Sequence, residues 1–519
     1  MMGPAALSIA ASFRHRVALG LRIFLRKQRV RGWSLILAYL ACELVCLWRF
    51  RLRMARLRQP RRSDRRGTLE DLQWLVDSAE HPICPINLSK ESMEIYLKEK
   101  YPDRKQGLDW KDVYATVRDA FCLAGPSAIE HAKILRIITA MAKQQGIKPP
   151  PADAKPPARD APLAFGSAPL QVVHKPLPVE AALSVARWVA DALFLALGFR
   201  QRWLPTPEGW LRYWSCRPRE ADPAELPAVF IHGVGLGAAP YLHFIDRLRR
   251  GRRAPLVVLE LPNCSRSNFQ EVSPSVPSFR DAFERLLLNE LQIAGPGRYV
   301  LIGHSLGTDY CSMVMNDPRM PSSDPVLRPA RLVLLDPICF VHEIAEAHRL
   351  PFWTFAEARR HAAKAGIWWP LMMIVLLVVI RDEYNQEGTK RAIVPGTDSI
   401  FRCSHSLLQR CPTLVVLSGN DVALPAWKVY DYVRAQFPEV QVRIDPGLEH
   451  GGFLMPWNPW WLSRAHAEHI IRFLASDASL PFRRVGSQPD AKREARRQAE
   501  KERPIRRKTL SESTLLALQ

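Results

Sequence analysis

The chain has 519 residues, a hydrophobic fraction of 47% and a formal net charge of +22. This length predicts one large domain with appended segments, and this hydrophobic fraction excludes a wholly disordered chain. The basic charge is concentrated before residue 67 and after residue 481, whereas the region between them mixes both signs. That central region carries no zinc-finger spacing, RNA-binding aromatic motif or basic recognition helix. We therefore expect no nucleic-acid partner, and an anionic membrane surface matches the charge better.

Residues 1–66 form a basic and apolar segment. Its first acidic residue is Glu43, and the apolar run 33–48 lies between two arginine-rich stretches. Two interpretations stay open. In the first, the run is a membrane anchor or interfacial helix, although Glu43 and the marginal length count against a full span. In the second, the arginine-rich, acid-poor start is an organelle transit peptide. We expect membrane association, with organelle targeting as the alternative.

Two segments of different composition come next. Residues 67–147 are predicted to be a helical accessory region, because apolar residues recur at three- and four-residue spacing. The stretches with this spacing are 69–78, 89–100 and 110–145. Residues 148–182 are rich in proline and are predicted to be a linker, with a further helix over 179–199. The ten cysteines stand singly, without a CxxC pair or a Cys/His cluster, so we expect reduced thiols and no metal site.

A fourth region, 183–478, is predicted to be an α/β domain, because short apolar strands alternate with helices from residue 209 onward. Strands are predicted at 210–216, 228–232, 255–261, 299–302, 331–335, 413–417 and 440–444, and helices at 278–294, 306–316 and 426–436. Such alternation predicts a mostly parallel sheet covered on both faces. The remaining tail, 479–519, mixes charges and holds few large apolar residues, so we expect it to be disordered.

The sequence Gly303-His304-Ser305-Leu306-Gly307 lies between a predicted strand and a predicted helix. This context is typical of a nucleophile elbow, in which a sharp turn lifts the serine hydroxyl above the strand ends. Glycines flank such a turn because the backbone is crowded there. The pattern therefore predicts Ser305 as a nucleophile, with the Leu306 N–H at the helix start as a donor to a substrate oxyanion.

A glycine-rich loop, 232–237, follows the predicted strand 228–232. Its glycines allow backbone N–H groups to approach a ligand, and Val234 N–H is the predicted second oxyanion donor. The loop lacks a P-loop lysine and the glycine spacing of a dinucleotide fingerprint, so phosphate binding is the weaker interpretation. We expect His232 to hold the loop structurally rather than to act in catalysis.

An acid and a base are predicted at the ends of later strands. Asp421 follows the strand 413–417, and His450 lies in a glycine-flanked loop after the strand 440–444. The chain order Ser305, Asp421, His450 is that of hydrolases with a serine–histidine–acid triad. Asp336, after the strand 331–335, is a rival for the acid, and Asp421 is preferred because it lies in a Gly-Asn-Asp motif.

The chain resembles the α/β-hydrolase superfamily over about residues 205–475. The stretches that carry the resemblance are LRYWSCRP, AVFIHGVGLGAAPYLHFIDRL, YVLIGHSLGT, LVLLDPICF, CPTLVVLSGNDVALP and PGLEHGGF. It is most similar to a eukaryotic branch whose members often carry membrane-anchored amino termini. The resemblance implies an α/β-hydrolase fold with a triad of Ser305, His450 and Asp421. It also implies an oxyanion hole at Val234 and Leu306, and no cofactor or metal.

Residues 341–411 occupy the place where such hydrolases insert a lid. The insertion contains an apolar run over 371–380, and an aromatic stretch over 453–461 follows His450. These features suggest an apolar or lipid acyl substrate at a membrane surface. The expected function is hydrolysis of an ester, amide or thioester bond, as by an esterase or lipase. An acyltransferase on the same site and a non-catalytic hydrolase-fold scaffold are the alternatives.

Overall fold

The computed structural model divides the chain into two units, residues 1–59 with 174–185 and residues 60–173 with 186–519. The residues that it describes are 32–57, 109–120, 126–145, 148–151, 153–157, 174–265, 274–293, 295–317, 327–340, 405–421, 424–452 and 460–475, with positions 69, 72–73, 76–77 and 454. The start of the chain (1–31), the helix predicted at 89–100, most of the predicted lid and the tail lie outside them. The predicted domain boundaries stay predictions.

The first unit contains helix α1 (Gly32–Leu57). Near its middle, Glu43 accepts hydrogen bonds from the Leu177 N–H at 2.8 Å and from His174 Nε2 at 2.7 Å. These bonds lower the pKa of Glu43. Among the described residues, we find no helix with the length and apolarity needed to cross a bilayer.

In the second unit, helices α2 (Trp110–Ala120) and α3 (Ala128–Gln145) follow helical residues at 69, 72–73 and 76–77. They were predicted as one stretch, but α3 has its own start. Ser127 N–H donates to Glu130 Oε2 at 2.6 Å, and Glu130 N–H donates to Ser127 Oγ at 3.3 Å. This reciprocal pair is a capping box. A buried cluster that includes Leu72, Tyr114 and Ile134 packs α2 and α3 together.

Eight strands form one sheet in the order β1-β2-β4-β3-β5-β6-β7-β8. The strands are β1 (Arg200–Thr206), β2 (Gly209–Cys216), β3 (Ala228–Ile231), β4 (Leu256–Glu260), β5 (Val300–His304), β6 (Arg331–Leu335), β7 (Thr413–Ser418) and β8 (Gln441–Asp445). The β1–β2 and β2–β4 pairs are antiparallel and the other pairs are parallel. The predicted mostly parallel sheet is confirmed.

Helices cover both faces of the sheet. They are α4 (Leu177–Ala196), α5 (Leu242–Arg250), α6 (Val276–Arg285, continued by a π-helical turn at Leu286–Glu290), α7 (Leu306–Met315), α8 (His405–Arg410), α9 (Ala426–Gln436) and α10 (Trp460–Ala475). Single helical turns lie at Ala239–Tyr241 and Pro262–Ser265. Side chains of α6, α7 and α9 share one core cluster, and side chains of α4, α5 and α10 share the other.

The central strands were predictable because both of their faces are buried. In β4, Val257 and Leu259 belong to one core cluster, and Leu256 and Val258 belong to the other. A strand buried on both faces is apolar at nearly every position. Strand β1 was not predicted: it contains Pro205, and Leu204 alone among its residues is buried. It is an edge strand, where proline and exposed side chains are tolerated.

Candidate active site

Ser305 lies at the sharp turn between β5 and α7. Its φ of 49° is positive, a strained conformation for a residue with a side chain. The flanking glycines make this turn possible. A Cβ at Gly307 would overlap the carbonyl oxygen of Ile231, and a Cβ at Gly303 would lie 2.5 Å from Cys311 Sγ. The glycines of the motif therefore allow α7 to approach β3 and β5 closely behind the serine.

A continuous chain of hydrogen bonds joins three side chains from separate strand ends. His450 Nε2 lies 2.9 Å from Ser305 Oγ, and His450 Nδ1 lies 2.6 Å from Asp421 Oδ2. Asp421 accepts a hydrogen bond from Nδ1–H of His450, so in the neutral ring Nε2 can accept a hydrogen bond from the serine hydroxyl. The His450 side chain is 22% exposed, whereas the Asp421 side chain is fully buried.

The loops that carry Asp421 and His450 are bonded to each other. Asn420 N–H donates to the carbonyl of Leu448 at 2.8 Å, and Gly419 N–H donates to the carbonyl of Asp445 at 2.6 Å. A Cβ at Gly419 would lie 2.6 Å from Pro446 Cα, so glycine is required for this approach. The Asp421 carboxylate also accepts a bond from Leu424 N–H at 3.0 Å. This bond helps to hold the carboxylate in the orientation in which it contacts the imidazole.

Asp336, the rival acid, is engaged elsewhere. It is fully buried and accepts from Ser418 N–H at 2.6 Å, from Ser418 Oγ at 2.8 Å and from Gly451 N–H at 2.6 Å. These bonds tie the end of β6 to the end of β7 and to the residue after His450. Asp336 therefore holds the loop of the histidine, while Asp421 holds the imidazole ring.

The carboxylates and the imidazole perturb one another. Burial and the charge of Asp421 raise the pKa of Asp336 to about 7 and that of Glu449 to about 7. Burial disfavours the imidazolium of His450, but the charge and hydrogen bond of Asp421, with the charge of Asp336, outweigh it and raise the pKa of His450 to about 9. An imidazolium formed during a reaction would be stabilised here.

The converging groups of Asp336, Asp421 and His450 lie within 4.8 Å of one another, close enough to hold a metal ion. Hydrogen bonds already engage them, however: His450 Nδ1 bonds Asp421, and Asp336 bonds Ser418 and Gly451. The donor set suits a hydrogen-bonded site better than a metal. The expected lack of a metal or cofactor stays a prediction.

The glycine-rich loop after β3 lies against the serine. A Cβ at Gly233 would be 2.8 Å from Ser305 Cβ, so the loop backbone lies directly against Ser305. Val234 follows it and is partly buried, and Leu306 opens α7 and is fully buried. The first N–H groups of a helix have no intrahelical partner, so the start of α7 can receive an anion. The oxyanion roles of Val234 and Leu306 stay predictions.

His232 anchors this loop. Leu261 N–H donates to His232 Nε2 at 3.0 Å, so the ring proton lies on Nδ1 and donates to the carbonyl of Gly233 at 2.6 Å. Burial lowers the pKa of His232 and keeps the ring neutral, although the charge of Glu260 opposes the shift. Both ring nitrogens bond backbone groups, as the predicted structural role requires.

Sequence reasoning missed Tyr241. Its hydroxyl accepts from Gly233 N–H at 3.1 Å and donates to His304 Nδ1 at 2.9 Å, which joins the glycine-rich loop to the elbow. Burial lowers the pKa of His304 well below its ordinary value. A tyrosine in Ala-Pro-Tyr-Leu carries no motif that signals this bridge, because its partners come from distant parts of the chain.

Several predicted features of the surroundings lie outside the described residues. Of the predicted lid, 341–411, the structure describes helix α8 and Cys411. The apolar run 371–380 lies outside the described residues. Of the aromatic stretch 453–461, it describes Leu454 and the start of α10. The lid and the aromatic cap stay predictions.

One protein family matches the residues that form the parallel part of the sheet. Residues 228–467 match the model of the alpha/beta hydrolase family. The carboxylesterase CesB of Bacillus subtilis is similar in structure, with 13% identity, a TM-score of 0.40, and 57% of this chain and 99% of that chain covered. The esterase LipW of Mycobacterium marinum has 16% identity, a TM-score of 0.39, and coverage of 59% and 90%. A search of the curated proteins found no match.

The family match and the fold define the class: the chain contains a domain of the α/β-hydrolase superfamily. The family match supports the prediction that the protein is a hydrolase. The assignment to a eukaryotic, membrane-anchored branch stays a prediction.

Proposed function

We propose that the protein is a serine hydrolase that cleaves a carboxylic ester bond with Ser305, His450 and Asp421. The observation that carries the proposal is the chain of hydrogen bonds from Asp421 through His450 to Ser305, at 2.6 and 2.9 Å. Serine is a weak nucleophile unless a neighbouring base removes its proton. A strained, glycine-flanked serine that bonds an oriented imidazole meets that requirement.

In the proposed mechanism, His450 Nε2 takes the proton of Ser305 as Oγ attacks the acyl carbonyl. Asp421 holds the tautomer and stabilises the imidazolium. The N–H groups of Val234 and Leu306 would receive the oxyanion, and each such donor contributes about 3–4 kcal/mol to transition-state stabilisation. The imidazolium then protonates the leaving alcohol, and water, activated by His450, releases the acyl group.

The substrate is proposed to be an apolar acyl ester at a membrane surface. The apolar runs at 371–380 and 453–461 and the basic, apolar segment 1–66 support this proposal. Amides and thioesters follow the same chemistry, and an alcohol in place of water would make the enzyme an acyltransferase. Membrane association is the proposed location, with organelle import as the alternative.

A fluorophosphonate probe tests the proposal. Such a probe phosphonylates a serine that an adjacent base activates, so we expect the wild-type protein to be labelled and the Ser305→Ala variant to be unlabelled. Ser312→Ala is the matched control, because Ser312 is a buried serine two turns further along α7. Folded wild-type protein that resists the probe would favour the non-catalytic scaffold instead.

The pH dependence of activity follows from His450. The base must be neutral to accept a proton, and a raised pKa keeps the ring cationic up to higher pH. We therefore expect kcat/KM to rise with pH, with its ascending limb near pH 9 rather than near 6.5. Initial rates on a soluble ester across a pH series measure the limb, with circular dichroism at each pH as a control for folding. An ascending limb at or below pH 6.5 would contradict the expectation.

A further inference from the structure

The peptide group that carries the Val234 N–H is held by a buried histidine. His232 Nδ1 donates to the carbonyl of Gly233 at 2.6 Å, and this carbonyl belongs to the same peptide group as the Val234 N–H. In a planar trans peptide, the N–H points in the direction opposite to the carbonyl. The bond from His232 therefore fixes the direction of the Val234 N–H.

Tyr241 holds the preceding peptide group of the same loop. Its hydroxyl accepts from Gly233 N–H at 3.1 Å and donates to His304 Nδ1 at 2.9 Å. The tyrosine is buried, and its ring packs against Phe230 and His304 at centroid distances of 5.3 and 5.4 Å. A buried hydroxyl that serves one donor and one acceptor restrains both partners. Tyr241 thus ties the glycine-rich loop to the residue before Ser305.

His304 extends this connection toward the loop that carries His450. Burial lowers the pKa of His304 well below its ordinary value, so its ring is neutral. A neutral ring has one N–H, and Nδ1 accepts from Tyr241, so the proton is on Nε2. Nε2 lies 3.9 Å from Asp336 Oδ2, an electrostatic contact rather than a hydrogen bond. The same oxygen accepts from Gly451 N–H at 2.6 Å, so one buried polar network reaches both loops.

We propose that Tyr241 and His304 are positioning residues that hold the glycine-rich loop where the Val234 N–H can receive an oxyanion formed at Ser305. Both side chains are buried, so they act through the backbone of the loop rather than on the reactant. A Cβ at Gly233 would lie 2.8 Å from Ser305 Cβ, so a small shift of the loop moves the donor relative to the serine. The inference rests on the proposed function, because an oxyanion forms only if the serine attacks an acyl carbonyl.

Tyr241→Phe tests the proposal on a soluble ester, since phenylalanine keeps the ring and removes the hydroxyl alone. We expect kcat to fall roughly 10- to 100-fold and KM to change by less than about twofold, because a displaced donor affects the transition state more than the bound ester. Phenylboronic acid forms a tetrahedral anion on an active serine and so resembles the transition state. It should inhibit the variant more weakly by a similar factor.

Tyr299→Phe is the matched control. Tyr299 is fully buried, and its hydroxyl donates to the carbonyl of Leu327. It precedes the first residue of β5, at the end of the strand opposite to His304. The control should therefore lose stability, because a buried carbonyl loses its donor, and keep the kcat, KM and boronate inhibition of wild type.

A pair of variants at His304 tests the same bond from its other side. Asparagine and leucine have similar shapes, and of the two only asparagine offers an acceptor to the Tyr241 hydroxyl. We expect His304→Leu to lose kcat as Tyr241→Phe does, and His304→Asn to retain about tenfold more activity than His304→Leu. The double variant Tyr241→Phe/His304→Leu should lose little more than either single variant, because both act through one bond.

Thermal unfolding of each variant separates loss of folding from loss of positioning. A folded Tyr241→Phe variant with the kcat and boronate inhibition of wild type would overturn the proposal, as would a change confined to KM. If Tyr241→Phe does not fold, the His304 pair decides: equal rates for asparagine and leucine would overturn the proposal. Wild-type protein that neither cleaves esters nor reacts with the fluorophosphonate probe would instead remove the proposed function, and this role with it.

Discussion

Replacing Ser305 with alanine is expected to lower kcat on a soluble ester by roughly 10⁴- to 10⁶-fold, the largest effect that we predict for a single change. Alanine removes the atom that forms the acyl intermediate. The fold should persist, because Ser305 contributes its backbone N–H, not its hydroxyl, to the bond with the carbonyl of Leu335 at 2.9 Å.

His450→Ala should cause a comparable loss, and the double variant little further loss, because nucleophile and base act as one unit. Steady-state rates of the two single variants, the double variant and the Ser312→Ala control measure this non-additivity. Multiplicative losses in the double variant would show that the two side chains act independently and would count against the proposed mechanism.

Asp421→Asn is expected to lower kcat by about 10⁴-fold, because an amide presents the wrong hydrogen-bonding group to His450 Nδ1 and disfavours the tautomer that activates Ser305. Asp336→Asn should cost less, about 10- to 100-fold. Its bonds to Ser418 and Gly451 position the loop of the histidine, and small displacements of a reacting group have effects of that size.

The two variants also differ in stability and in pH dependence. Asp336→Asn should lower the free energy of unfolding by about 1–3 kcal/mol, because a buried donor or acceptor loses its partner. It should also move the ascending limb of kcat/KM to lower pH, since one of the charges that raise the pKa of His450 is removed. Thermal unfolding and pH–rate profiles of both variants provide the comparison. A larger loss of kcat in Asp336→Asn than in Asp421→Asn would reverse the assignment of the acid.

The α/β domain could be read from the sequence because its central strands are buried on both faces and are therefore apolar throughout. Strand β6 begins and ends at the predicted residues, and α9 does as well. The antiparallel edge was harder to predict. Strand β1 is mostly exposed and contains Pro205, so its pairing with β2 is a tertiary contact that leaves no apolar pattern.

The nucleophile motif, the strand-end positions of Asp421 and His450, and their chain order were properties of the sequence alone, because glycines at a strained turn and acids after apolar strands are local signals. The sequence favoured Asp421 over Asp336 only by its Gly-Asn-Asp motif, and the contact between a carboxylate and the imidazole is a property of the tertiary structure. Asp336 and Asp421 both follow parallel strands, and only the folding of their loops gives one the ring of His450 and the other the N–H of Gly451. The inward orientation of the charges on α4 is likewise a tertiary property. The ion-pair partners of Arg187 and Asp191 lie on strands that are remote in sequence.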